Sequence, residues 1–392
     1  MSDNPVVIVS ARRTAIGSFQ GQFSPVKATE LGSTAIQAAL QNAQVEGGEV
    51  SEVFMGCVLP ANLGQAPARQ ASLGAGIPDS VGCTTVNKVC GSGMKSIMLG
   101  HDLIRAGSAE IVVAGGMESM TNAPYLLPKA RGGYRMGHGE IIDHMFWDGL
   151  QNPYDNNMMG HFAEMCVEKY GFTRELQDAY AERSIRRALE AMEGAFQDEI
   201  TPVTVKTRKG DVVADRDEEP PNCNIEKIPS LRPAFKKDGT VTAASSSKIS
   251  DGAAAVVLMT AEEAKRRGLT PLATIVGHAG HAQEPEWFTT APVSAIRKVQ
   301  ERVGWSREDV DLYEVNEAFA AVAMAAIEEL GLDPGKVNVN GGACALGHPI
   351  GCTGARITVT LLNALKSRGL KRGVASLCIG GGEATALALE LP

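Results

Sequence analysis

The chain has 392 residues, 44% of them hydrophobic, and a formal net charge of -8. That length buries a large core and accommodates two to three domains, and the acidic balance argues against nucleic acid as a partner. The apolar runs 253–259 and 320–327 are too short for a membrane span, so no membrane partner is expected.

The opening residues, Met1 to Pro5, lack the basic start and long apolar stretch of a signal peptide, and 6–9 reads as a buried strand. The eight cysteines of a long, unsecreted chain are expected to be reduced, which fits a cytoplasmic location. Residues 52–57 read as a strand after a helix-like stretch. Next comes 86–93, where Cys90 is set among glycines before an amphipathic helix over 94–104. A helix entrance offers free N–H groups and a positive dipole end, which favour the thiolate that attacks. Gly91 and Gly93 are expected to take conformations closed to other residues and leave the sulfur open. Residues 109–118 read as a buried strand running into glycines.

The stretch 121–247 differs in character. It holds the glycine-rich 131–134, a helical segment over 174–192 and a hairpin-like 203–213 carrying Lys206, Arg208 and Lys209. Those cations suit phosphate contact and a solvated hairpin edge equally. Asp251 then returns the chain to the core. His278 and His281 stand three apart without other ligands, no cysteine has zinc spacing, and no metal is expected.

Toward the C-terminus, 311–316 reads as a strand, and 338–356 is a glycine-rich loop in which Pro349 fixes the backbone beside His348. A last strand, 374–379, carries Cys378 into Gly380, Gly381 and Gly382. N–H groups of that run suit an oxyanion hole. Segments 109–118 and 373–383 mirror each other, as do 52–57 and 311–316. Such a duplicated α/β core implies two sheets with helices between them and active-site loops at the join.

The blocks around Cys90, Asn316 to Phe319, Gly347 to Pro349 and Cys378 to Gly382, in this order, resemble the thiolases over nearly the whole chain. The resemblance implies a five-layer αβαβα fold with two duplicated halves and an inserted loop domain. Its divisions are 1–120 completed by 248–270, a loop domain over 121–247 that covers coenzyme A, and 271–392. It also implies a reversible Claisen condensation of two acetyl-CoA to acetoacetyl-CoA and coenzyme A. In that chemistry Cys90 carries the acyl group, and His348 with a water held by Asn316 stabilises the enolate. Cys378 shuttles the proton, and the N–H groups of Cys90 and Gly380 form a second oxyanion hole. Leu150, Met159, Ala243, Ser247, Ala318 and Phe319 match substrate-binding positions. Coenzyme A and acyl-CoA are substrates, so no separate cofactor is expected, and the family suggests a homotetramer of dimers joined through 121–139.

Five residues at three places in the chain depart from the family pattern. Met158 replaces a histidine, Pro220 and Pro221 replace a tyrosine or arginine, and Glu383-Ala384 replaces methionine or glutamine followed by glycine. A broad-chain 3-ketoacyl-CoA thiolase is the alternative in the same chemical class, favoured less because Met159 narrows the acyl pocket. A non-catalytic acyl-CoA or lipid carrier would need none of Cys90, Asn316, His348 and Cys378 together.

Overall fold

The central strands of this protein are built from small and β-branched residues buried on both faces, the composition of a sheet covered on each side. A computed structural model describes residues 4–392, so Met1 to Asp3 of the opening segment lie outside the described residues. In the first half, β1 (Val6–Thr14), β2 (Glu52–Gly56), β3 (Gly82–Val86) and β4 (Val112–Ser119) alternate with α1 (Ala28–Ala43), α2 (Pro67–Gly74) and α3 (Ser92–Arg105). The chain then leaves the sheet for α4 (Met159–Tyr170), α5 (Arg174–Met192) and a hairpin of Val203–Thr207 with Gly210–Ala214. It returns as β5 (Ser250–Thr260), whose residues are buried from Ser250 to Met259. The second half contributes β6 (Ala273–Ala282), α6 (Ala291–Val303), β7 (Leu312–Val315), α7 (Ala320–Leu330), α8 (Thr353–Arg368), β8 (Arg372–Ile379) and β9 (Glu383–Glu390).

The strand order is β3-β2-β4-β5-β1-β6-β9-β8-β7. Each half repeats one plan: its first strand pairs with its last, and the preceding strand lies beyond. In the second half an isolated parallel bridge between Tyr313 and Val337 stands where the first half has β3. The two expected sheets are joined, because β1 and β6 pair through Val7 with Thr274 and Ile8 with Ala273. That short seam satisfies backbone groups on two strand edges that would otherwise be unpaired.

Helices α3 and α8 form the middle layer. They pack on each other, and α8 also packs on β5 of the first half and β8 of the second. α1 and α2 cover the outer face of the first half, and α6 with α7 covers that of the second. Glycine allows the central helices to meet at their starts. A Cβ on Gly354 would lie 2.3 Å from the Met94 nitrogen, and one on Gly93 would lie 2.7 Å from the Ala355 nitrogen. No helix among the described residues is long and apolar enough to cross a membrane.

Candidate active site

The repeat places Cys90 just before α3 and His348 just before α8, at the N-terminal ends of the two central helices. Around Cys90 the turn is pinned locally. Ser92 Oγ accepts from the Lys88 N–H at 2.8 Å and donates to the Val89 carbonyl at 2.6 Å, and Asn87 Oδ1 accepts from the Val89 N–H at 3.0 Å. Val89 is thereby held at φ 45°, an uncommon conformation for a β-branched residue. The sequence assigned such strain to Gly91 and Gly93, and the structure corrects this. Gly91 has an ordinary φ of -80°, and a Cβ there would lie 2.4 Å from Ile379 Cδ1. Both glycines are required for close approach of protein to protein rather than for exposing the sulfur.

N–H groups of Gly380 and of Cys90 itself donate to the Cys90 sulfur, which sits half-buried against a cluster of Val58, Leu59, Met120, Met145 and Ile350. Burial outweighs those donors and pushes the thiol up to about 11. The lowering expected at a helix entrance therefore does not prevail. At neutral pH the resting sulfur is a thiol and needs a base. An ion pair between Lys88 and Glu383 links the nucleophile turn to the glycine run. Both partners are part-exposed, so the pair aligns the two segments while adding about 0–1 kcal/mol of stability.

Beside His348, Gly347 has φ 105°, and a Cβ there would lie 1.9 Å from Ser250 Oγ. Only glycine suits that position. The His348 N–H donates to the Lys248 carbonyl at 2.9 Å. Its Nδ1 lies 2.6 Å from Thr353 Oγ1, which itself lies 3.0 Å from the Pro349 carbonyl. A carbonyl only accepts, so the threonine proton points to Pro349 and the hydroxyl oxygen accepts from Nδ1–H. Nε2 then carries the lone pair. It is buried without a hydrogen-bond partner among the described residues. Burial first, and the charge of Arg356 second, hold the imidazole down at about 3, so it is neutral at physiological pH.

Glu118, at the end of β4, holds the His348 loop in place from outside. Its carboxylate accepts from the N–H groups of Gly351 at 2.8 Å, Val58 at 3.0 Å and Leu59 at 3.1 Å. Burial nevertheless raises this carboxyl to about 7. Close packing makes the contact possible, since a Cβ on Gly116 would lie 2.0 Å from the Gly351 carbonyl oxygen.

Asn316 follows β7, and its N–H donates to the Ser376 carbonyl at 3.0 Å. Neither Oδ1 nor Nδ2 of its buried side chain has a protein partner among the described residues. The neighbouring Glu317 carboxylate is fully engaged by Tyr180, Ser184, Asn338 and the Cys344 N–H, which fixes the loop. Cys378 ends β8 fully buried. Its thiol is raised well above 9 by burial, and next by the proximity of Cys90.

Two clefts meet at Met159. One, of about 380 Å³, is lined by Val89, Gly380, Gly381, Trp147, Asn152 and Tyr154 among others. The other, of about 200 Å³, is bounded by Leu150, Ser247, Phe319 and His348, with Phe235 and Lys248. Ala243 lines neither: it is exposed, and its carbonyl accepts from Lys248 Nζ at 2.5 Å. Ala318 is buried behind the wall, where its carbonyl accepts from the Ser247 N–H at 3.0 Å. Lys206, Arg208 and Lys209 are exposed on the hairpin, away from both clefts. Phe235 and Trp147 escaped sequence reasoning, as aromatic residues in irregular segments carry no periodic signal. Thr353 and Glu118 escaped it as well, because each acts through a tertiary contact.

A thiol, a neutral imidazole with a free lone pair, a second protonated thiol and N–H donors on one sulfur are groups that acyl transfer can use, and comparison with known proteins makes the chain an acyltransferase. The chain belongs to the thiolase family: the thiolase N-terminal domain matches residues 6–262 and the thiolase C-terminal domain matches 269–391. It is 54% identical to acetyl-CoA acetyltransferase 2 of Arabidopsis thaliana, covering 100% of this chain and 98% of that one. It is 51% identical to the acetyl-CoA acetyltransferase of Pseudomonas aeruginosa, with 98% of each covered. The crystal structure of the Bacillus anthracis acetyl-CoA acetyltransferase superposes with a TM-score of 0.97 at 48% identity, covering 99% of each chain.

Proposed function

We propose that this chain is an acetyl-CoA C-acetyltransferase that interconverts two acetyl-CoA with acetoacetyl-CoA and coenzyme A through an acetyl group carried on Cys90. The observation that carries it is the His348–Thr353 contact, which leaves a neutral Nε2 lone pair on a residue that lines a cleft, in a protein whose Cys90 is a thiol in need of a base.

In the thiolysis direction the steps balance as follows. Cys90 Sγ attacks the ketone carbon of acetoacetyl-CoA and its proton passes to His348 Nε2. The tetrahedral oxyanion rests against the N–H groups of Cys90 and Gly380, donors whose loss typically costs about a hundredfold or more. Collapse breaks the carbon–carbon bond, leaving acetyl-Cys90 and the enolate of acetyl-CoA. His348 Nε2–H and the Asn316 carboxamide, acting through water, stabilise the enolate oxygen. Cys378 donates its proton to the enolate carbon, which suits a thiol held protonated by burial. Coenzyme A then gives its thiol proton to the Cys378 thiolate and attacks acetyl-Cys90. The departing Cys90 sulfur recovers its proton from His348. Condensation is the same path reversed. Coenzyme A and its thioesters enter as substrates, and no bound cofactor takes part.

The test is coenzyme A-dependent loss of 3-ketoacyl-CoA absorbance, comparing acetoacetyl-CoA with 3-ketooctanoyl-CoA. Cleavage confined to the four-carbon substrate supports this function. Comparable rates would favour a broad-chain thiolase, and no cleavage of either would favour a carrier. We also place the enzyme in the cytoplasm as a homotetramer. A relative from Gibberella zeae, 48% identical with 98% of each chain covered, is named a cytosolic acetyl-CoA acetyltransferase. Tyr125, Leu127 and Met136 expose apolar surface in the segment expected to join dimers. Light scattering giving a monomer at micromolar concentration would overturn the tetramer.

A further inference from the structure

Away from the clefts, the C-terminal end of α3 meets β6 in a cluster the proposed chemistry does not use. His101 Nδ1 lies 3.0 Å from Asp102 Oδ1, and His278 Nε2 lies 2.8 Å from the same oxygen. The two rings stand edge to face with centroids 5.0 Å apart. His281, the neighbour considered from the sequence, belongs elsewhere. Three residues along a strand turn it to the opposite face, where it contacts Gln283 and Lys298.

We propose that His101, Asp102 and His278 form a binding site for one borderline transition-metal cation, of which Zn²⁺ is the model, and that the bound ion fastens α3 to β6. Their three ligand atoms lie within 4.8 Å of one another, and Asp102 is exposed enough to admit an ion and a water as fourth ligand. Zinc binds nitrogen and oxygen at about 2.0–2.2 Å in a tetrahedron, which places ligand atoms roughly 3.4 Å apart. The cluster therefore opens by a few tenths of an ångström at the carboxylate, while the two nitrogens converge. Metal binding displaces the ring protons now facing Asp102, and each neutral imidazole moves that proton to its other ring nitrogen, so a proton is released only from a ring that was an imidazolium.

The donor set also determines which ion fits. Two imidazoles and one carboxylate suit zinc, copper, nickel or cobalt, whereas calcium and magnesium require more oxygen ligands. Nearby positive charge works against every cation and most against ions held by Coulomb attraction alone: Arg302 donates to the His278 carbonyl at 2.5 Å. A site of low net negative charge gains affinity from imidazole donation more than from Coulomb attraction.

The ion would tie the helix that follows Cys90 to the strand paired with β9, which starts just after the glycine run. The experiment uses the full chain after chelator treatment, titrated with Co²⁺ and, by calorimetry, with Zn²⁺. Expected are one Co²⁺ per chain with tetrahedral d–d absorption and no sulfur-to-cobalt charge-transfer band, since cysteine sites would show that band. His278→Gln and His101→Gln should each weaken binding more than about tenfold, and Zn²⁺ should raise the melting temperature of the parent protein but not of His278→Gln. Thiolysis rates stay outside this readout, so the inference fails or stands independently of the proposed activity. No binding, binding with only sulfur bands, or binding unchanged in both variants would overturn the site. Binding without a rise in melting temperature would overturn the fastening.

Discussion

Replacing Thr353 by valine tests the proposed base directly. The substitution keeps the branched shape and removes the oxygen that accepts from His348 Nδ1 at 2.6 Å. In the parent protein that acceptor fixes the proton on Nδ1, because the threonine hydroxyl is itself committed to the Pro349 carbonyl at 3.0 Å. Valine would leave a buried Nδ1–H unpaired, at a cost of about 1–3 kcal/mol. The imidazole avoids much of this cost by moving its proton to Nε2, the atom that must receive the Cys90 proton. A penalty of that size on the productive tautomer corresponds to roughly a tenfold to hundredfold fall in kcat, with KM little changed because no substrate contact is lost. Thr353→Ser, which retains the hydroxyl, should recover most of the rate. Steady-state thiolysis of acetoacetyl-CoA separates kcat from KM, and thermal unfolding reports any structural damage. Full kcat in the valine variant, with folding intact, would refute the tautomer argument and remove His348 Nε2 as the acceptor of the Cys90 proton.

Other consequences are equally direct. With the Cys90 thiol near 11 and His348 near 3, alkylation of Cys90 by iodoacetamide should climb about tenfold per pH unit from 7 to 10, followed by mass spectrometry of the Cys90 peptide. A plateau from pH 5 to 8 would instead reveal a standing thiolate–imidazolium pair. Cys90→Ser should lose nearly all turnover, whereas Cys378→Ser should still accept an acetyl group slowly, detectable as an added acetyl mass; full turnover in Cys378→Ser would end its proton-shuttle role. For Glu118→Gln the sign is fixed by a folded carboxyl raised to about 7 from the ordinary 4.5. The native state then holds a proton that the unfolded chain has released. Relative to the glutamine variant, the parent should lose up to about 3 kcal/mol of stability as pH rises from 4.5 to 7. Parallel denaturant-stability profiles for the two proteins would contradict the raised carboxyl.

Cys90, His348 and Cys378 stood out in the sequence because glycine and proline punctuate the chain beside each of them, and such punctuation is a local signal. The duplicated plan was visible for a similar reason, as 109–118 and 373–383 share a buried run ending in glycines. What the sequence concealed depends on partners distant in the chain. Glu118 reaches Gly351 across 233 positions, and the rise of the Cys90 thiol comes from burial by surrounding segments. Val89 reversed expectation at φ 45°, since a turn pinned by Ser92 and Asn87 overrides the preference of a β-branched side chain. Ala243 illustrates a different limit: only its match to a family position singled it out, and as an exposed small residue it carries no local signal of a substrate contact.

The proposed nucleophile and its proposed base, Cys90 and His348, precede two central helices that come from opposite halves of the chain and touch at Gly93 and Gly354. A growing polypeptide that has left the ribosome only through β5 thus holds Cys90 without His348, Asn316 or Cys378. Its half of the layered stack lacks the helix on which α3 packs. The proposed set of groups is complete only when both halves have been made and have docked, so the fold ties enzymatic acyl transfer to the existence of the whole molecule.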